Sequence, residues 1–120
     1  MIPSPHEILA AVPRLAERHG VAVNPSEKAI RAAVLEAREL AVEEHDEPAA
    51  VFFAFARHRW AFGAAWGVLT GAVSLWQAER VGRWVRARPD ELRTLALDVV
   101  SGRADFAAVA AWFAKRLAAN

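Results

Sequence analysis

The sequence contains no cysteine. Disulfides, thiolate metal sites and cysteine nucleophiles are therefore excluded, and the usual pointer to redox compartment is missing. It also lacks an excess of charge of one sign. Fifteen basic residues against fourteen acidic ones give a formal +1, so no global field draws in nucleic acid or acidic lipid, and any basic patch must be local. The opening Met1-Ile2-Pro3-Ser4-Pro5 has neither the basic nor the long apolar region of a signal peptide, so a cytoplasmic protein is expected. No internal repeat or low-complexity linker divides the 120 residues. That length suits one core over residues 1–120 and would leave two cores each marginal. What is abundant is apolar: 55% of the chain is hydrophobic, much of it alanine, against 24% charged. This is enough to offset chain entropy on folding.

The patterning is helical. Ser4 is an N-cap candidate and Pro5 suits a first turn, while Ile8, Leu9, Val12, Leu15 and Ala16 recur at helical spacing up to His19-Gly20. Pro13 is expected to kink or divide this helix. Either Asn24 or Ser26 can cap a second helix, whose buried stripe is Ile30, Val34, Leu35 and Ala41. The acidic run Glu43 to Glu47 ends at Pro48, which opens a new helix. Grouped around His45, that run reads as a solvated helix end, and no metal site is expected there.

From Ala49 to Ala78 the chain is apolar on every face except at Arg57-His58-Arg59. A helix of that kind is enclosed by protein or by lipid. Thr70, Ser74, Gln77 and the many alanines argue against a membrane span, and the flanking amphipathic segments need a partner core. We therefore expect a central buried helix around Phe52 to Trp76. Gly63, Gly67 and Gly71 fall four residues apart. Three helical glycines each cost about 1 kcal/mol relative to alanine, so this face should receive a close backbone from a neighbouring helix, a second subunit or a ligand. Gly63, Gly67 and Gly71 are thus the candidate interface of a homodimer.

The segment from Glu79 to Arg88 interleaves arginines with Trp84. It reads as a solvated connector or as a guanidinium rim around an aromatic anchor, suited to carboxylates or a peptide. Pro89-Asp90-Glu91-Leu92 starts a helix to about Val100, and Asp105 caps a last helix from Phe106 to Leu117. The expected fold class is all-α, with about six helices around the central one.

Two stretches carry a resemblance. Pro89-Asp90-Glu91-Leu92 with Leu97 to Gly102 and Val109-Ala110-Ala111-Trp112-Phe113 is similar to the C-terminal pattern of small Doc-like chains. Glu47-Pro48-Ala49-Ala50 through His58 is similar to the helix that leads into the Fic/Doc signature. The positions matching that signature read His58 to Trp66, where His58, an aromatic at Trp60, and Gly63 survive. The family's histidine acts as general base, its acidic residue holds Mg²⁺, and its asparagine and cation hold phosphates. Phe62, Ala64, Ala65 and Trp66 stand in their places. The resemblance therefore implies a Doc-like fold without nucleotide, metal or other cofactor, because phosphoryl and nucleotidyl transfer depend on that electrostatic clamp.

A groove so altered would be lined by Trp60, Phe62 and Trp66, with Trp76 or Trp84 at its edge, and rimmed by Arg57, Arg59, Arg80 and Arg83. It would suit an apolar, partly charged peptide. The chain also resembles, in size and in its disabled Doc motif, the lysinoalanine-forming proteins of cinnamycin- and duramycin-type lanthipeptide pathways. That likeness implies an apolar macrocyclic peptide partner and addition of a lysine amine to dehydroalanine. His58 or a substrate carboxylate would then be the proton acceptor. From a different class, the alternative is a catalytically inactive Doc-like toxin–antitoxin component or an adaptor that holds a partner segment in the same groove.

Overall fold

Ser4 caps the first helix in both directions: its hydroxyl accepts the Glu7 N–H, and the Glu7 carboxylate accepts the Ser4 N–H, closing a capping box. In a computed structural model, which describes residues 1–119, this helix (α1, Pro5–Arg18) runs unbroken through Pro13. The expected division does not occur. Ile8, Val12 and Leu15 bury the opposite face of the helix, while Pro13 is exposed, so packing holds the helix across the one missing donor. Ser26 caps α2 (Glu27–Leu40), accepting the Ala29 N–H.

The long apolar stretch is two helices, not one. A 3₁₀ turn at Glu44–Asp46 leads into α3 (Glu47–Arg57), and α4 (Trp66–Arg80) returns beside it after two further 3₁₀ turns, Arg59–Ala61 and Gly63–Ala65. Two features of the sequence break the expected central helix. Arg57, His58 and Arg59 cannot be buried mid-core without partners, and Gly63 takes φ +56, a left-handed turn conformation that glycine enters freely. The central role falls to α3 alone, in which every residue from Glu47 to Ala56 is buried.

Two apolar clusters meet on α3. Ala50, Val51 and Phe55 pack with α1, α2 and Phe62 on one side. Phe52 and Phe53 pack on the other with α5 (Pro89–Val100) and α6 (Phe106–Arg116). The Phe55 and Phe62 rings stack with centroids 5.2 Å apart, and Phe52 meets Phe113 at 5.5 Å. Each fully buried phenylalanine contributes about 1.5–3 kcal/mol. Thr70, Ser74 and Gln77 form a polar stripe at i, i+4 and i+7 on α4, and all three are buried within the protein. The Ser74 hydroxyl donates to the Pro48 carbonyl at 2.7 Å, which ties α4 to the start of α3.

The six α-helices of the described residues bear out the all-α reading. One addition was not expected. Arg83–Val85 (β1) pairs antiparallel with Leu117–Ala119 (β2), Trp84 facing Ala118, so the last helix ends one residue before Leu117 and the arginine-rich connector is partly strand. No helix among the described residues is long and apolar enough to cross a membrane.

Candidate functional site

The turn that joins α3 to α4 carries the signature-like residues His58 to Trp66. The Ser26 N–H at the start of α2 donates to the Ala61 carbonyl at 3.0 Å, and Phe62 beneath it is buried on Phe55. Above this base, Arg59, Trp60, Gly63, Ala64 and Trp66 line an open cavity of about 270 Å³. Trp60 is 80% exposed. Trp66 is half-buried, and its indole N–H donates to the Ala56 carbonyl at 3.0 Å, which fixes the plane of that wall. A Cβ built on Gly63 would meet no atom within 4 Å, so the cavity has a bare backbone floor.

The cations of the turn divide into two kinds. Glu36, on α2, receives the Arg57 guanidinium on Oε1 and the His58 Nε2 on Oε2, each at 2.7 Å. Arg57 also lies over the Phe53 ring, 5.6 Å from its centroid. Glu36 thereby clamps the end of α3. The His58 Nε2 is taken up by that carboxylate, and His58 does not line the cavity. Arg59 does line it. Glu36 did not figure among the expected site residues. Its only sequence signal is a carboxylate beside the buried alanines Ala33 and Ala37, 22 residues from His58.

Several expected members of the groove lie elsewhere. Phe62 is 1% exposed and belongs to the core, because stacking on Phe55 buries more of its surface than a solvent-facing position would. Arg80 ends α4, and Arg83 and Trp84 follow it at the far end of that helix. That helix has 15 residues, and at about 1.5 Å per residue its ends are roughly 20 Å apart. Arg80 pairs with Glu7 and lies over Trp76, 4.9 Å from its centroid. Arg83 and Trp84 are exposed on β1. The expected guanidinium rim therefore does not assemble around Trp60 and Trp66.

The glycine ladder is also broken. Gly63 sits in the turn, outside α4. Gly67 faces Arg93, and a Cβ at Gly71 would lie 3.2 Å from Leu92 Cδ1. The close partner of Gly71 is α5 of the same chain, and Gly71 is buried by it, so the ladder offers no continuous face to a second subunit.

No carboxylate lines the cavity, and no group of three or more metal-ligating side chains occurs among the described residues. The donor set does not fit Mg²⁺ or a polyphosphate. Comparison of the chain with protein-family models and with curated proteins finds no match.

Proposed function

We propose that this protein binds a dehydrated peptide at the Trp60–Trp66 cleft and holds it so that a lysine amine adds to a dehydroalanine, forming lysinoalanine. The observation that carries the reading is an open cavity with two indole walls and a glycine floor, at the position where the resembled family carries its charged phosphate clamp. Concave sites rich in aromatic surface with few polar anchors suit apolar ligands.

The chemistry matches what the cleft can supply. The lysine Nζ, freed of a proton, attacks the alkene β-carbon, the π electrons pass to the α-carbon, and that carbon takes up a proton. The product is an isomer of the reactant, so no redox partner or leaving group is involved. At pH 7 only about one lysine in 10³ is neutral. Holding amine and alkene in attack geometry contributes roughly 7–11 kcal/mol. Because His58 is turned to Glu36 and stands off the cavity wall, we assign the proton acceptor to a carboxylate of the substrate. We assign His58 and Glu36 to positioning the turn. A cytoplasmic location fits this role, since such precursors are made there.

Incubating the full chain with a dehydrated lanthipeptide precursor, followed by proteolysis and fragment mass spectrometry, tests the reading. We expect cross-linked product from the wild type, retained product from His58→Ala, and at least a tenfold lower rate from Trp60→Ala or Trp66→Ala. No product from the wild type overturns the reaction. Peptide binding without any cross-link would favour the adaptor reading, in which the exposed Trp60 indole holds a partner segment.

A further inference from the structure

We propose that the cleft selects the C-terminal residue of a peptide, its free α-carboxylate on Arg59 and its apolar side chain between Trp60 and Trp66. The inference rests on the reading of that cleft as a peptide site and specifies which part of the peptide enters it.

Charge is the first argument. Among the described residues, Arg59 has no acidic partner, whereas Arg57, two residues earlier, is held by Glu36. The other lining residues, Trp60, Gly63, Ala64 and Trp66, bring no charge of either sign. The cleft thus presents one unneutralised guanidinium against indole surface. A guanidinium fork pairs with a carboxylate through two parallel hydrogen bonds, and the indoles accept aliphatic or aromatic surface.

Proximity decides where the carboxylate comes from. Arg59 and Trp60 are consecutive and line one small cavity of about 270 Å³ with Trp66, so the acid and the apolar group they receive lie within one residue's reach of each other. A carboxylate and an apolar side chain that must both come from one residue occur together only at a chain terminus, where the α-carboxylate and the side chain share a Cα. An internal aspartate or glutamate would need a second residue to cover the indoles.

The test uses the full chain and small probes, with the Trp60 and Trp66 indole N–H resonances as readout. N-acetylphenylalanine carries both features, N-acetylphenylalaninamide lacks the carboxylate, and N-acetylglutamate α-amide has only a side-chain carboxylate. We expect the first to bind about fivefold more tightly than either of the others, the discrimination of one partly exposed ion pair. Arg59→Gln should bring the acid-to-amide ratio to about one, with Arg59→Lys in between. Arg59 is exposed, so these variants should fold. Equal binding of acid and amide by the wild type, or an unchanged preference in Arg59→Gln, would overturn the carboxylate assignment and leave the cleft standing. Glutamate amide binding as tightly as N-acetylphenylalanine would overturn the choice of the C-terminus. If no probe moves either indole resonance at any soluble concentration, the reading of the cleft fails together with this one.

Discussion

At one end of the α3–α4 hairpin, the Ser74 hydroxyl reaches the Pro48 carbonyl and the buried Glu47 carboxylate takes the Met1 ammonium at 2.7 Å. At the other end, Trp60 stands 80% exposed and Arg59 meets no acid among the described residues. The same two helices run between these ends. Where polar groups find partners inside the protein they hold it together. Where they are left facing solvent, the chain spends surface on something other than its own stability. This difference separates substitutions that should unfold the protein from those that should only empty its cleft.

The largest effect is expected beneath the open end. Phe55 is fully buried and stacks on Phe62, so Phe55→Ala should cost about 3–5 kcal/mol, read from the urea midpoint at constant m-value. A cost below about 1 kcal/mol would mean that the turn is not anchored to the core. At the closed end, Ser74→Ala removes the hydroxyl that ties α4 to the Pro48 carbonyl, which keeps its helical N–H partner, and about 0.5–1.5 kcal/mol should be lost. Between the two lies the Glu36 clamp, a partly exposed carboxylate shared by Arg57 and His58. Glu36→Gln should cost roughly 1 kcal/mol and speed tryptic cleavage after Arg59. An unchanged cleavage rate would remove Glu36 from the positioning of the turn. Trp60→Ala should shift stability by no more than about 0.5 kcal/mol while abolishing binding of apolar peptides. A loss of stability comparable to that of Phe55→Ala would erase the distinction between the ends.

Helix identity was legible because capping and periodicity act locally. Ser4, Ser26 and Asp105 all cap as their neighbours suggest, each accepting an N–H three residues on. The break at Arg57 to Gly63 is signalled by two arginines and a histidine between two apolar stretches, but the sequence does not show that α4 turns back there to lie beside α3. Phe62 and Trp60, two positions apart and similar in hydrophobicity, have opposite fates that only the approach of α1 and α2 decides. Glu36 could not be paired with His58 from spacing, since the contact joins two helices, and β1 with β2 joins segments more than thirty residues apart. The arginines at 80 and 83 looked like one rim with Arg57 and Arg59 because sequence does not reveal that α4 carries them to the far end.

The smallest expected effect bears on the closed end through pH. The Glu7 carboxyl is held below its ordinary value of 4.5, first by the Ser4 N–H it accepts, and then by the nearby Arg80 guanidinium, against a partial opposing cost of burial. A carboxyl that is more acidic in the folded chain than in the unfolded one stabilises the fold above the unfolded value. That contribution fades as pH falls through the lower folded value. Stability should therefore decline with acid below about pH 4.5, and Glu7→Gln should flatten the limb while leaving the curve near neutrality displaced downward. Arg80→Gln should flatten it less, because the capping N–H remains. Chemical denaturation from pH 7 down to pH 3 checks this, and identical acid limbs for wild type and Glu7→Gln would show that the α1–α4 contact at the closed end carries none of the stability assigned to it.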